Sequence, residues 1–415
     1  MRDTDLYQQI LGLQTPWRVN RVDLKVKDLR VDVYAEHGKR KTWPCPECGK
    51  ECGLHDHDEE RAWRHLDSCQ FQTFLHARVP RVHCDEHGVR QVRVPWAEPK
   101  SRFTLLFESF AIDVLWETDV LGAARILGVS WDEAHGILQR AVERGLARRD
   151  PKVPEYLGLD EKAIARGQRY ATIACDVKTG HVIEVAPDRT MLSVVRCLGQ
   201  FSLNQLASGV RAVAMDMWDP FLRVITMMLP EPETKIVFDR FHIVSHMNNA
   251  VDLVRRRENR ALRAEGDERL VGSKHMWLYA AENVPERYST DFAALRTSTL
   301  KTARAWAIKE TLRDLWEQPS EDEGRAWYKR WHFWATHSRL DPVKKVAATV
   351  RRHLDGVLAY FTHRITNSAS EALNSTIQMI KKRAFGFRSF PNFRYAVLFR
   401  CGGLQLHPDP SHPKA

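Results

Sequence analysis

Two short apolar runs, each ending in an aspartate, decide the fold: Glu155-Tyr-Leu-Gly-Leu-Asp160 and Val210-Arg-Ala-Val-Ala-Met-Asp216. Each run predicts a short buried strand. If the two strands lie side by side and parallel, their aspartates meet at one edge of the sheet, where open α/β sheets place ligands. Two carboxylates at one edge repel each other, so the pattern also predicts a bound cation.

The residues around these runs complete a five-stranded unit. Residues 169–185 predict two strands joined by the hairpin turn Asp176-Val-Lys-Thr-Gly180. Glu161, which follows the first aspartate, is expected on the other side of its strand. With Lys235–Phe238 as the fifth strand, the order is strand, strand, strand, helix, strand, helix, strand. This is the order of a ribonuclease H-like fold, which hosts nucleases, transposases and integrases that use two Mg²⁺ ions held by three or more carboxylates.

A third carboxylate is expected on a helix that returns to the same edge. We choose Glu371 in Asn367-Ser-Ala-Ser-Glu-Ala-Leu-Asn374, because Glu371, Asn374, Gln378 and Lys381 share one face of the helix predicted there. Ser368 and Glu371 also fit a capping box, in which Glu371 only satisfies the start of the helix. The residues alone leave both roles open.

Residues from about 241 to 360 predict an almost wholly helical region, interrupted by an exposed acidic loop at Gln318–Gly324. It begins at Asp239-Arg-Phe-His242, where His242 either positions substrate phosphate or water or is a surface histidine beside a helix cap. One basic cluster lies within this region and another follows it. Such clusters are usually solvated faces, but their position beside the acids favours a DNA channel. The cations concerned are Arg255, Arg256, Lys381, Lys382, Arg383 and Arg388.

The first hundred residues predict a β-rich module, with strands at residues 22–26, 31–34, 71–79 and 91–94. Cys45-Pro-Glu-Cys48 and Cys84-Asp-Glu-His87 each place two ligands across a tight turn, which together make the tetrahedral set that structural zinc prefers. Because a module of this size buries little apolar surface, zinc would supply part of its folding free energy. The competing ligands are Cys52, His55, His57 and Cys69.

A helix-turn-helix follows the β-rich module. Val120–Leu127 predicts its first helix, Gly128 takes the turn, and Ser130 with Glu133 forms a capping box at the start of the second helix. Ala124, at the helix contact, needs a small side chain. The second helix has an apolar stripe for burial, which leaves an outer face suited to major-groove entry and phosphate contact. That face comprises His135, Gln139, Arg140, Arg144 and Arg148. An ordinary helical hairpin between domains is the alternative.

Composition and charge limit the class of protein. The 415 residues carry 63 Lys and Arg against 53 Asp and Glu, a net charge of +10, which indicates a polyanionic partner. No run of about 18 apolar residues occurs, so a membrane protein is excluded. Five of the eight cysteines lie within 40 residues of a chain that we expect to be intracellular, which favours metal binding over disulfides. The tail His407–Ala415 is expected to be frayed.

Taken together, these motifs resemble an insertion-sequence transposase of the ISL-three family. The resemblance rests on Cys-x-x-Cys, Cys-x-x-His, the helix-turn-helix, Gly-Leu-Asp160-Glu, Ala-Met-Asp216-Met-Trp, Asp-Arg-Phe-His242 and Asn-Ser-Ala-Ser-Glu371-Ala-Leu-Asn. It implies a bacterial DDE enzyme in which Asp160, Asp216 and Glu371 bind Mg²⁺ or Mn²⁺ and His242 assists. It also implies that the enzyme cleaves DNA at the element's ends and transfers the 3′-OH ends to target DNA.

The resemblance further implies a multidomain α/β protein whose ribonuclease H-like core is interrupted by an all-helical insertion. The expected domains are a zinc-binding module at 1–100, a helix-turn-helix at 101–150, the first part of the core at 151–260, the insertion at 261–355 and the rest of the core at 356–415. Its partners would be double-stranded DNA, both terminal inverted repeats and target, and a second copy of the chain on DNA. We expect a cytoplasmic, nucleoid-associated protein. The rivals are a non-catalytic zinc and helix-turn-helix repressor and a structure-selective nuclease of the same fold.

Overall fold

The computed structural model describes residues 2–150, 152–165, 169–365 and 368–409, and it describes their side chains except at positions 165 and 368–371. The chain forms two compact units. Residues Met1–Arg149 and Leu404–Ala415 make the first unit, and Asp150–Gly403 make the second. Residues Leu404–Asp409 thus pack with the first unit, whereas the sequence analysis assigned them to the rest of the core.

The first unit begins with a helix and a six-stranded sheet. The elements are α1 (Asp3–Ile10), β1 (Trp17–Lys25), β2 (Arg30–His37), β3 (Thr42–Pro44), β4 (Glu51–Arg64), β5 (Gln72–Cys84) and β6 (Gly88–Gln91). The sheet order is β1-β2-β5-β4-β3, with β6 paired to β5. Strands β2 and β5 are parallel and the other neighbours are antiparallel. Buried aromatic side chains, among them Trp17, Trp43 and Trp63, fill the core of this sheet.

Three helices complete the first unit: α2 (Leu105–Glu117), α3 (Val120–Leu127) and α4 (Trp131–Arg148). The predicted turn is confirmed, because Gly128 ends α3 with a left-handed backbone at φ 64°. The predicted capping box is confirmed too, since Ser130 and Glu133 exchange hydrogen bonds at the start of α4. Ala124 and the apolar stripe of α4 are buried as expected.

The second unit is built on a five-stranded sheet. Its strands are β7 (Tyr156–Ala165), β8 (Arg169–Asp176), β9 (Val182–Pro187), β10 (Ala212–Met215) and β11 (Ile236–Phe238). The sheet order is β11-β10-β7-β8-β9. Strands β11, β10 and β7 run parallel, and β8 is antiparallel to both β7 and β9. This is the predicted set of strands, and the predicted turn at Asp176 is present, with its carboxylate accepting from the Lys178 N–H at 2.8 Å.

Two details of this sheet differ from the prediction. Strand β7 continues five residues past Asp160, because residues 161–165 pair with β8 alone after β10 has ended. The connections also hold two helices each instead of one. These helices are α5 (Met191–Leu198) and α6 (Leu203–Gly209) before β10, and α7 (Asp219–Met228) and α8 (Pro232–Lys235) before β11.

The remaining chain is helical, as predicted. The helices are α9 (Arg240–Ala264), α10 (Lys274–Leu278), α11 (Glu286–Arg296), α12 (Lys301–Arg313), α13 (Glu321–His337), α14 (Asp341–Arg352), α15 (Leu354–Leu358), α16 (Tyr360–His363), α17 (Ser368–Arg383) and α18 (Phe390–Cys401). One apolar core joins them to the sheet, since Trp277 and Trp331 belong to the same buried cluster as Leu157 and Val213. No helix in the described ranges is long and apolar enough to cross a membrane.

Candidate functional site

Two acids occupy neighbouring positions at one edge of the second sheet. Leu159 of β7 pairs in parallel with Met215 of β10, so the residues that follow them, Asp160 and Asp216, are next to each other in the register. Each carboxylate accepts a backbone N–H from the residue after it, at 2.7 Å for Asp160 and 2.6 Å for Asp216. These bonds fix one oxygen of each acid at the carboxyl end of β10.

A histidine from the next helix stands beside these acids. His242 Nδ1 lies 3.4 Å from Asp216 Oδ2, and its Nε2 lies 3.8 Å from Asp239 Oδ2. Asp239 is also the N-cap of α9, because it accepts the Phe241 N–H at 3.0 Å. The helix cap that the sequence offered is present, and His242 lies beside Asp216 instead of standing alone on the surface.

Helix α17 reaches the same edge from the far end of the second unit. Asn374 Nδ2 donates to Asp160 Oδ2, and Lys381 Nζ donates to the Ala163 carbonyl at 2.6 Å. Both residues belong to the helix face that the sequence selected. Glu371 lies in α17 one turn before Asn374, but its side chain is outside the described residues, and so is the capping box with Ser368.

The acidic edge is short of positive charge. Burial raises the pKa of Asp160 above its usual range, against the opposing effects of Asn374 and the Glu161 N–H, which favour the charged form. Within the described ranges, neither Asp160 nor Asp216 forms an ion pair with a lysine or an arginine. A buried carboxylate without a cation is costly. Oxygen ligands of this kind suit Mg²⁺ or Mn²⁺, so the residues fit a divalent metal site.

A third nearby carboxylate is held by an arginine. Glu161 lies 3.1 Å from Arg189 Nη1, and burial raises the pKa of Glu161, with Asp216 and Asp160 adding to the rise. Arg189 is itself clamped, because its guanidinium lies over the ring of Tyr170 at 4.2 Å and that of Trp218 at 4.9 Å. No motif pointed to Arg189, which follows β9 and is distant in the chain from its partners. Asn374 was visible on the chosen helix face but was given no role.

The first unit brings four predicted zinc ligands together. Sulfur and nitrogen atoms of Cys45, Cys48, Cys84 and His87 all lie within 4.8 Å of one another. Cys48 Sγ is 3.8 Å from Cys84 Sγ, and Cys84 Sγ is 3.5 Å from His87 Nδ1. A tetrahedral zinc ion would separate two sulfurs by ~3.8 Å and a sulfur and a nitrogen by ~3.6 Å, given the usual bond lengths. The cluster therefore has the spacing of a structural zinc site.

Two of the competing ligands, Cys52 and His57, are otherwise engaged. Cys52 Sγ donates to the Lys50 carbonyl at 3.3 Å, and burial raises the pKa of its thiol to about 11, which disfavours the thiolate that zinc requires. His57 Nε2 lies 2.7 Å from His37 Nε2. In contrast, a hydrogen bond with His87 lowers the pKa of Cys84 to about 6.

The predicted outer face of α4 is largely wrong. Arg144 has 8% of its side chain exposed and pairs with Glu98 at 2.7 Å and with the buried Glu108 at 3.1 Å. Arg140 pairs with Glu108 at 2.6 Å. His135 is buried, stacked on Trp131 at 4.7 Å, and burial lowers its pKa. The acids come from α2 and the loop before it, so spacing within α4 could not show them.

Two further members of that face differ from expectation. Gln139 is half-buried. Arg148 donates to the His407 carbonyl at 2.7 Å and pairs with Asp409 at 2.9 Å. Arg144 also donates to the Leu406 carbonyl at 2.6 Å, so residues up to Asp409 are held against α4 instead of being frayed.

Arg144→Ala is expected to destabilise the first unit by about 3 kcal/mol, because it leaves the buried Glu108 with Arg140 as its remaining charged partner. Urea denaturation measures this cost. Arg125→Ala, at an exposed position of α3, is the matched control and should change stability little. Wild-type stability of Arg144→Ala combined with lost DNA binding would restore the original assignment of Arg144 to a DNA contact.

The basic clusters of the second unit divide into buried and exposed members. Arg255 is buried and pairs with Asp252 at 2.8 Å, so the free protein does not present it as an exposed DNA contact. Arg256 is exposed, although it also lies 3.2 Å from Asp252. Lys382 and Arg383 at the end of α17 and Arg388 in the turn that follows are all exposed. In that turn Phe385 is 97% exposed.

Comparisons with known proteins agree along most of the chain. A family model described as a transposase, of the DDE type and of family ISL3, matches residues 157–397. A zinc finger of the transposases IS204, IS1001, IS1096 and IS1165 matches residues 41–87, and a helix-turn-helix domain of transposase family ISL3 matches residues 92–142.

Curated relatives of similar length are also found. The transposase for insertion sequence element IS1557 of Mycobacterium tuberculosis is 25% identical over 422 residues, which covers 94% of this chain and 93% of the relative. The transposase for insertion sequence element IS1001 of Bordetella parapertussis is 25% identical over 352 residues, which covers 84% of this chain and 86% of the relative.

Proposed function

Because the chain belongs to the ISL3 family of insertion-sequence transposases, we propose that it binds the terminal inverted repeats of an element, cleaves the DNA at its ends and transfers the 3′-OH ends to target DNA. The observation that carries this proposal is the pair of adjacent acids at the carboxyl end of β10, one of them buried without a cation. Such a site binds a divalent metal and not an organic cofactor.

Asp160, Asp216 and Glu371 are the proposed ligands of Mg²⁺ or Mn²⁺. Support for Glu371 comes from its neighbour one turn away, since Asn374 of α17 touches Asp160. Glu161 is not proposed as a ligand because Arg189 already holds it. Support for a ribonuclease H-like core comes from the strand order, in which an antiparallel hairpin β8-β9 flanks the central β7 and two parallel strands lie on its other side.

The protein's own residues would prepare this site for phosphodiester chemistry. Asn374 and the Glu161 N–H each hold one oxygen of Asp160, so the carboxylate is fixed before DNA arrives. His242 stands between Asp216 and Asp239 and orients the Asp216 carboxylate. A bound divalent metal supplies positive charge to the entering and leaving oxygens of the phosphodiester in both cleavage and joining.

Separate surfaces would hold the DNA. Lys382 and Arg383 are exposed at the end of α17 and Arg388 in the turn after it, where they suit contact with the phosphate backbone. The zinc-binding module and the helix-turn-helix are proposed to recognise the terminal inverted repeats. Since two ends are joined in one reaction, a homodimer on DNA is part of the proposal.

The decisive experiment incubates the purified protein with labelled element ends and a supercoiled plasmid, with and without Mg²⁺. We expect cleaved ends and ends joined to the plasmid, both dependent on the metal. End binding without any cleavage would favour the repressor. Cleavage without joining would favour the structure-selective nuclease.

A further inference from the structure

The helical region contains a basic groove far along the chain from the acidic residues. It has a volume of about 550 Å³ and lies between one face of α13 and the junction of α14 with α15. The residues on α13 recur at the spacing of a single helix face. The groove is lined by Arg325, Tyr328, Lys329, His332, Phe333, Thr336, His337, Arg351 and Leu354.

Two cations in this groove have no acidic partner. Within the described ranges, Lys329 and Arg351 form no ion pair, and both are exposed. Arg325 differs, because Glu321 at 3.0 Å and Asp355 at 3.1 Å neutralise it. Arg351 also lies near His332, whose pKa is lowered by burial and by that positive charge. The groove therefore has a positive potential that its own acids do not cancel.

An unsatisfied hydroxyl lies in the same groove. Tyr328 has 5% of its surface exposed, and its phenolic oxygen is buried without a hydrogen-bond partner. A buried hydroxyl without a partner costs about 1–3 kcal/mol of free energy. Lys329 and Arg351 line the same groove. The hydroxyl is closed off from solvent in the free protein, so an anion bound in the groove would provide its missing acceptor once the Tyr328 side chain shifts toward the groove.

We infer that this groove binds the phosphodiester backbone of double-stranded DNA, through Lys329, Arg351 and the Tyr328 hydroxyl. The choice of DNA as the anion rests on the proposed function, while the site itself is separate from the acidic edge. Phosphate contacts position DNA without reading its sequence. The groove would thus give the helical region a role in holding a DNA segment during the reaction.

The test measures binding of the full-length protein to a fluorescein-labelled duplex of arbitrary sequence, at several salt concentrations and without Mg²⁺. Lys329→Ala and Arg351→Ala should each reduce affinity ~8-fold at about 0.1 M salt and flatten the slope of log K against log salt by about 0.9. Arg330→Ala and Lys345→Ala are matched controls, since they remove exposed cations outside the groove lining from the same two helices. Equal effects in all four variants, or none, would overturn the assignment.

Tyr328→Phe separates binding from folding. Because the hydroxyl has no partner in the free protein, its removal should leave the urea midpoint unchanged or raise it, while DNA affinity falls. Wild-type affinity in this variant would overturn the role of the hydroxyl. These binding measurements are independent of cleavage. If the protein cuts and joins DNA but the groove variants bind DNA as tightly as wild type, only the groove assignment is contradicted. If the protein never cuts DNA but the groove variants lose affinity, only the proposed reaction is contradicted.

Discussion

Asp160→Asn should abolish DNA cleavage and joining while making the Mg²⁺-free protein more stable. The loss follows because a metal ligand disappears: metal ions contribute several kcal/mol to such reactions, so the rate should fall ~10³-fold or more. The gain in stability follows because burial, the largest influence on this carboxyl, raises its pKa. The neutral amide removes the buried charge, and Asn374 can rotate its own amide to keep the hydrogen bond.

The sign of the pH dependence follows from the raised pKa. Between the ordinary pKa of an aspartate and the higher pKa of Asp160 in the folded protein, the folded state binds more protons than the unfolded state. Stability contributed by this group therefore falls as the pH rises through that window, and the penalty is complete above the folded-state pKa. The urea midpoints of wild type and Asp160→Asn should differ most above that window and converge as the pH falls through it.

Two companion variants make this prediction specific. Asp216→Asn should also lose cleavage and joining, because Asp216 occupies the neighbouring register position. Asp176→Asn is the matched control: it changes an acid of the same sheet that accepts the Lys178 N–H within a hairpin turn, where asparagine is well tolerated. Cleavage by Asp160→Asn at the wild-type rate would remove Asp160 from the active site. A lowered urea midpoint would indicate a structural carboxylate instead.

The sequence was informative wherever neighbouring residues determine the structure. The apolar runs before Asp160 and Asp216 are long enough to specify buried strands, and the turn at Asp176 specifies the hairpin between β8 and β9. Ser130 and Glu133 fixed the start of α4 for the same reason. In each case the residues that decide the structure lie within a few positions of one another.

The sequence was uninformative where a residue interacts with a partner that is distant in the chain. Arg144 is a residue type that often contacts DNA, yet it forms ion pairs with Glu98 and Glu108, which lie outside its own helix. The acidic run at Gln318–Gly324 was predicted as a loop, but α13 begins within it. Ser320 caps this helix, and the acidic side chains of the first turn are stabilised by the positive end of the helix dipole. Strand β4 was missed because its polar residues give no apolar alternation, and pairing with β5 stabilises it instead.

Replacing Cys84 by Ser should release zinc and unfold the sheet of the first unit. The buried apolar cluster of this sheet contains Trp43 together with Cys45, Cys52 and Cys84. The proposed zinc site therefore adjoins the apolar core. Zinc binding to small domains is coupled to folding by about 10–16 kcal/mol in apparent free energy. No other group of three or more metal-ligating side chains is found in the described ranges, so wild type should hold about one zinc per chain.

Elemental analysis and limited proteolysis measure the two parts of this prediction. In Cys84→Ser, zinc should be absent and protease should cut within the first unit, while Asp150–Gly403 survives as a resistant fragment because that unit has its own core. Cys69→Ser is the matched control, since Cys69 is exposed and lies outside the cluster, and it should keep both zinc and resistance. If Cys69→Ser or Cys52→Ser loses zinc while Cys84→Ser retains it, the ligand set is wrong. A wild-type protein that contains no zinc yet resists protease would mean that Trp43 and its neighbours stabilise the sheet without a metal.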